Sequence, residues 1–105
     1  MKSDRVRLEH IRDAILKIIE FAKDGPRNSK TEAAIMYEIT VIGEAVKTLS
    51  SDLKTAQAHI PWRDIIGMRN KLVHEYFQTD SEVLWNTVTE DIPRLKSWIE
   101  TLLSK

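Results

Sequence analysis

The sequence predicts an all-α protein, an up-down bundle of four or five helices joined by short connections. Along most of the chain, apolar residues recur at intervals of three and four, which is the spacing of an amphipathic helix. There are only three glycines and three prolines, and no stretch alternates apolar and polar residues for long enough to indicate a strand. With 105 residues, the chain is expected to form a single domain over residues 1–105.

Two apolar stripes separated by a stop signal predict the first two helices. The first stripe consists of Leu8, Ile11, Ile15, Ile18 and Ala22. It ends at Asp-Gly-Pro in positions 24–26, because glycine followed by proline terminates a helix. Either Asn28 or Ser29 can cap the second helix, and Glu32 is placed to complete a capping box with Ser29. The second stripe consists of Ile35, Ile39, Ile42, Val46 and Leu49.

The second half of the chain begins with a polar segment. The second helix runs out near residues 50–52, and the residues up to His59 are expected to form a loop with a short turn of helix. Pro61 then suits the start of a third long helix. Residues 79–82 read as a second capping box that starts a further helix, and Pro93 predicts a bend or a new start within it. The apolar positions of this last part are Val83, Leu84, Val88, Leu95, Trp98, Ile99 and Leu102.

The third long helix carries the most informative residues. Arg69 lies in the middle of its apolar stripe, although an arginine is rarely buried without a partner. A second stripe beside it contains Gly67, Asn70 and His74. A glycine inside a helix costs about 1 kcal/mol relative to alanine, so Gly67 suggests a close approach by another group. With the phenol of Tyr76, these side chains can bind and cleave a phosphodiester; taken singly, each also suits an ordinary structural role.

The spacing of these residues resembles a known signature. Arg69, four intervening residues, His74, one residue and Tyr76 are similar to the motif of the HepT-type toxins of the HEPN superfamily. Four other segments also resemble that family in order along the chain, namely residues 7–11, 42–45, 60–62 and 91–93. The resemblance implies a HEPN-like homodimer with the motif at its interface. It also implies an RNase toxin of a type VII toxin–antitoxin system, paired with a minimal nucleotidyltransferase antitoxin that attaches AMP to Tyr76.

A metal-independent RNase mechanism fits these residue types. His74 can exchange protons with the RNA hydroxyls because histidine side chains ordinarily titrate near neutrality, and Arg69 can bind the phosphate oxygens. Asn70 can either orient His74 or donate to the phosphate, and Glu44 can be structural or pair with an arginine such as Arg69. Arg69 and His74 point about 140° apart around the helix, which favours a cleft shared by two chains. Tyr76 lies about 20° from Arg69, so the AMP that the resemblance implies on Tyr76 would lie where the RNA phosphate should bind.

The composition of the chain limits how it can contact RNA, which cofactors it can hold and where it is expected to reside. Lys plus Arg and Asp plus Glu both number 16, so RNA contacts must come from a local patch or from a surface shared by two chains. Without cysteine, and with three histidines that lack metal-ligand spacing, neither a metal nor another cofactor is expected. No apolar run of membrane-spanning length and no signal peptide is visible, so we expect a cytoplasmic protein without membrane contact.

The alternative to an RNase is a non-catalytic HEPN module that binds nucleotide or presents substrate to a nucleotidyltransferase, with Arg69 and His74 as ligand-binding groups.

Overall fold

A computed structural model describes residues 2–77 and 81–104, with the side chains of all of these except Lys2, Tyr76 and Phe77. Within those ranges the chain is helical without any strand, which confirms the all-α prediction. The elements are α1 (Lys2–Asp24), α2 (Ser29–Thr48), α3 (Ser51–Ala56), α4 (Trp62–Phe77), α5 (Ser81–Asn86), a π-helical turn (Thr87–Asp91) and α6 (Ile92–Leu103). No helix in the described part of the chain is both long enough and apolar enough to cross a membrane.

One hydrophobic core joins the long helices. α1 packs along α2 and α6, and α2 also packs along α4. The apolar stripes predicted for α1 and α2 face this core, with Ala22 partly buried and all their other members buried. The core is dominated by isoleucine side chains that are completely enclosed, among them Ile11, Ile15, Ile18, Ile35, Ile39, Ile42, Ile92 and Ile99. Burying a side chain of this size contributes about 1.5–3 kcal/mol, so helix packing rather than helix propensity stabilises the bundle.

The start of α2 corrects one prediction. Asn28 is the cap, and its side-chain oxygen accepts a hydrogen bond from the Thr31 backbone N–H at 3.0 Å. The predicted capping box of Ser29 and Glu32 is wrong, because the carboxylate of Glu32 is buried and accepts a bond of 2.8 Å from Trp85 Nε1. A buried indole N–H needs an acceptor, and this tertiary partner takes precedence over the local one.

The connection after α2 is fastened to the beginning of the chain. α3 is the predicted short turn of helix, and Ser50 caps it by accepting from the Leu53 backbone N–H. The buried Asp4 carboxylate accepts bonds from the Ser50 hydroxyl at 2.6 Å and from the Ser50 backbone N–H at 2.9 Å. These bonds lower the pKa of Asp4, with the Ser50 hydroxyl the largest cause. Asp4 therefore ties α1 to the start of α3.

A π-helical turn stands where Pro93 was expected to cause a bend or a new start. In a regular α-helix the ring of Pro93 would meet the carbonyl of Thr89, four residues earlier. The wider turn from Thr87 to Asp91 precedes the proline, and the Ile92 N–H bonds to the carbonyl of Thr87. The chain thus continues from α5 into α6. Residues 79 and 80 of the predicted capping box lie outside the described residues, and α5 begins at Ser81.

Candidate active site

α4 is anchored at its beginning and along its inner face. The predicted start near Pro61 is confirmed, because the Ile65 N–H bonds to the Pro61 carbonyl at 3.0 Å and closes the first turn. Trp62 is buried, and its indole N–H donates to the carbonyl of Gln57 at 3.1 Å. Ile65 and Leu72 are also buried, which fixes the rotation of the helix. The side chains between them are consequently held at defined angles to the core.

Arg69 lies at the edge of this inner face, where α4 passes close to α2. Its aliphatic stem packs on the backbone of Gly43, so closely that a Cβ built on Gly43 would lie 2.8 Å from Arg69 Cγ. The Arg69 side chain is 25% exposed, which places it between a core residue and a surface residue. The helix contact therefore directs the stem, while part of the guanidinium remains open to solvent.

The guanidinium has two polar neighbours. Its Nη1 donates to the side-chain oxygen of Asn70 at 2.8 Å, and its Nη2 lies 3.7 Å from Glu44 Oε1. Of the two alternatives given for Glu44, the structure thus contains the ion pair with Arg69. Glu44 is 57% exposed and the same oxygen lies 3.6 Å from Lys47 Nζ, so the pair is worth about 0–1 kcal/mol. Glu44 can therefore move away when a stronger anion binds.

The Nε atom of Arg69 is different from the other two nitrogens. It is buried and has no hydrogen-bond partner among the described residues. A donor left in this state costs about 1–3 kcal/mol. The side edge of the guanidinium is therefore closed, and only its terminal nitrogens can meet a ligand.

The second predicted stripe forms the outer face of α4. Gly67, Asn70 and His74 are all exposed. Because Asn70 uses its oxygen to accept from Arg69, its amide N–H groups are directed away from the arginine and can donate. A Cβ built on Gly67 would meet nothing within 4 Å in the described part of this chain. The close approach expected at Gly67 is therefore not made by any of the described residues.

Among the predicted site residues, the structure brings Arg69, Asn70 and Glu44 into contact. Arg69 faces α2, whereas His74 lies on the exposed face of α4, as the helical angles predict. The backbone of Tyr76 is in the last turn of α4, but its side chain lies outside the described residues. No group of three or more histidine, aspartate or glutamate side chains that could hold a metal ion occurs in the described ranges.

Comparison with known proteins gives a consistent result over nearly the whole chain. Residues 5–102 match the family model described as ribonuclease HepT-like. The chain belongs to this family. It is 42% identical over 106 residues to the "Probable ribonuclease HepT" of Thermococcus cleftensis, a match that covers 96% of each chain. The resemblance inferred from the motif is thereby confirmed.

Two further relatives carry provisional names as RNases. One, from Caldanaerobacter subterraneus subsp. tengcongensis, is 34% identical over 110 residues, covering 100% of this chain and 98% of the relative. Another, from Methanocaldococcus jannaschii, is 34% identical over 88 residues, covering 79% of this chain and 81% of the relative. No solved structure matches significantly.

Gly43, which contacts Arg69, is not among the site residues predicted from the sequence. The sequence feature that could have indicated Gly43 is a glycine on the buried face of α2, immediately before an acidic residue. A helical glycine on a buried face often permits a close approach of backbones. The helical periodicity of α2 cannot show which side chain of another helix fills that space.

Proposed function

We propose that the protein is a metal-independent endoribonuclease and the toxin of a toxin–antitoxin pair in the cytoplasm. The observation that carries the proposal is the arrangement on α4. There the Arg69 guanidinium contacts Asn70 at the edge of an exposed face that also presents His74. Membership of the ribonuclease HepT-like family supports the same chemistry. RNA is the substrate.

In the proposed reaction, the 2′-hydroxyl of a ribose attacks the adjacent phosphorus and the bond to the 5′-oxygen of the next nucleotide breaks. The products are a 2′,3′-cyclic phosphate and a free 5′-hydroxyl. A His74 imidazole accepts the proton of the 2′-hydroxyl, and an imidazolium donates one to the leaving oxygen. Arg69 offsets the charge that accumulates on the phosphorane, and the Asn70 amide donates to one of its oxygens.

A second copy of the chain would complete this site. Because each chain contributes one motif histidine, a reaction with separate acid and base imidazoles requires two chains. The open space over Gly67 leaves room for a partner helix beside Asn70 and His74. A domain of this size also gains stability by burying surface between two copies. We therefore place the site in a cleft between two facing α4 helices.

Regulation would act through Tyr76. The partner nucleotidyltransferase would transfer AMP from ATP to the phenol oxygen, forming an oxygen–phosphorus bond and releasing pyrophosphate. The product adds bulk and negative charge one heptad from Arg69, where the RNA phosphate would bind. A protein modified in this way would be an inactive toxin.

The test compares wild type, Arg69→Ala and His74→Ala on a synthetic RNA in the presence of a chelator. We expect wild type to cleave the RNA and to leave a 2′,3′-cyclic phosphate. Both variants should stay folded and inactive, which also controls for a contaminating nuclease. Cleavage that needs a divalent ion, or that persists in His74→Ala, would refute the mechanism. RNA or nucleotide binding that depends on Arg69 without any cleavage would support the non-catalytic binding module instead.

A further inference from the structure

The backbone of Gly43 lies directly against the stem of Arg69, one of the candidate catalytic groups. Besides lying 2.8 Å from Arg69 Cγ, a Cβ at position 43 would lie 3.0 Å from Arg69 Cβ and 3.3 Å from Arg69 Cδ. The Cβ of Arg69 is fixed by the backbone of α4, so no rotation of the arginine can relieve all three contacts. An L side chain at position 43 must displace either the arginine stem or the helix that carries it.

A displacement of the Arg69 stem would also move the guanidinium at the end of that side chain. The path of the stem over Gly43 puts Nε in a buried position and brings Nη1 within 2.8 Å of Asn70 Oδ1. The two terminal nitrogens are therefore the edge of the guanidinium that can hold a phosphate. A change in the path of the stem would rotate these nitrogens and break the hydrogen bond from Nη1 to Asn70.

We propose that Gly43 is a positioning residue for the RNase reaction. Because Gly43 has no side chain, the stem of Arg69 can pack against its backbone, and this packing site, the seat of the arginine, directs the terminal nitrogens of Arg69 toward the scissile phosphate. This inference rests on the function proposed above. It goes beyond it by assigning a role to a residue of α2 that touches neither RNA nor the reacting atoms. The ion pair between Arg69 and Glu44 is long and exposed, so it orients the guanidinium only weakly. Packing of the arginine stem on Gly43 supplies the stronger constraint.

The first test is the cleavage rate of Gly43→Ala, measured below its melting temperature. A displacement of about 1 Å at a catalytic group can cost on the order of 100-fold, so we expect kcat to fall by about 10- to 100-fold. Gly25→Ala is the matched control. Its new Cβ would also lie 2.8 Å from the nearest atom, the carbonyl oxygen of Phe21, but in the turn between α1 and α2. It should lose stability and keep its kcat, and equal loss of kcat in both variants would overturn the proposal.

The second test observes the arginine directly and does not depend on activity. In wild type, the NMR signal of the buried Arg69 Nε–H, assigned by its loss in Arg69→Lys, should exchange slowly with water. In Gly43→Ala it should shift and exchange faster, while in Gly25→Ala it should not change. An unchanged signal in Gly43→Ala would overturn the seat. A changed signal in a protein whose wild type cleaves no RNA would support the seat and refute the proposed function.

If Gly43→Ala does not fold, the double variant Gly43→Ala/Arg69→Ala decides the question. Truncating the arginine removes Cγ and Cδ, two of the three atoms that the new methyl group would meet. Recovery of a cooperative, helical fold in the double variant would show that the glycine accommodates the arginine stem. Continued failure to fold would show that Gly43 serves the packing of α2 alone and would overturn the proposal.

Discussion

The hydrogen bond from Arg69 Nη1 to Asn70 Oδ1, 2.8 Å long, joins two neighbouring residues that face different surroundings. Arg69 packs against α2, whereas Asn70 is exposed. The bond fixes which end of the carboxamide points outward, because the arginine occupies the oxygen, whereas the amide nitrogen donates to none of the described residues. The amide N–H groups of Asn70 are therefore directed toward the outer face of α4, where they can donate.

This orientation predicts the effect of Asn70→Asp. A carboxylate can still accept from Arg69, so the fold and the arginine contact should remain. It cannot donate, however, and it adds a negative charge beside the phosphate. Removing one donor of this kind typically costs about 100- to 1000-fold in kcat, and we expect a loss of at least that order. The measurement is the single-turnover cleavage rate together with the melting temperature.

Asn86→Asp is the control for Asn70→Asp, since it adds the same charge at an exposed position at the end of α5. It should cleave RNA at close to the wild-type rate. Wild-type activity in Asn70→Asp would show that the amide donates nothing to the reaction, and would leave Asn70 only its contact with Arg69.

The open space over Gly67 predicts the effect of a large side chain there. Gly67 is exposed and nothing in the described part of the chain lies within 4 Å of a new Cβ, so the indole of Gly67→Trp should extend into solvent in the single chain. Replacing a helical glycine should even favour α4 slightly. If two α4 helices face each other at this point, the indole must separate them. We expect wild type to have the mass of a dimer at micromolar concentration, and Gly67→Trp to be a folded, inactive monomer.

Ser97→Trp provides the comparison for Gly67→Trp, since Ser97 is an exposed residue of α6. This variant should remain dimeric and active. A wild-type protein that is monomeric by light scattering, yet cleaves RNA, would contradict a cleft shared by two chains.

The buried carboxylate of Asp4 predicts a defined dependence of stability on pH. Its pKa in the folded protein is lowered from 3.8 by the two bonds from Ser50, so the carboxylate form is favoured by folding. Its contribution is fully present above the ordinary value and is lost as the pH falls through the lowered one. We expect Asp4→Asn to lower the free energy of unfolding by about 1–3 kcal/mol near neutral pH.

Urea denaturation of Asp4→Asn and wild type at several pH values measures this effect. The difference between them should begin to shrink as the pH falls below 3.8, where Asp4 of the unfolded chain becomes protonated, and should vanish as the pH falls through the lowered pKa of the folded protein. Asp13→Asn, which changes an exposed carboxylate of the same helix, should have little effect. A difference that stays constant into acid would mean that the shape of Asp4, rather than its charge, stabilises the protein.

The helices were predictable because their signals are local. Apolar spacing, the stop after Asp24 and the proline before α4 each depend on a few adjacent residues, and the structure agrees with all of them. Contacts between helices depend instead on how one helix is placed against another. Asp4 and Ser50 are 46 residues apart, and Glu32 bonds to Trp85 rather than capping its own helix. The placement of Arg69 at the edge of the core followed from its own helix, but the role of Gly43 required the packing of α2 on α4.

Tyr76 should be the site of modification and not a reacting group. A tyrosine hydroxyl has a pKa of about 10, so it is a poor general base at neutral pH, whereas the histidine two residues earlier is well suited. Tyr76→Phe keeps the ring and removes the oxygen that would accept AMP, so this variant should remain folded and retain RNase activity. Co-expressed nucleotidyltransferase should no longer silence it by modification. The measurement is intact mass after incubation with the partner enzyme and ATP, in which wild type should gain one or more AMP units and Tyr76→Phe none.

Tyr37 offers the matched comparison, because its side chain is 67% exposed on α2 and is the other tyrosine of the chain. Tyr37→Phe should be modified as fully as wild type. AMP found on Tyr37, or on neither tyrosine, would refute this assignment.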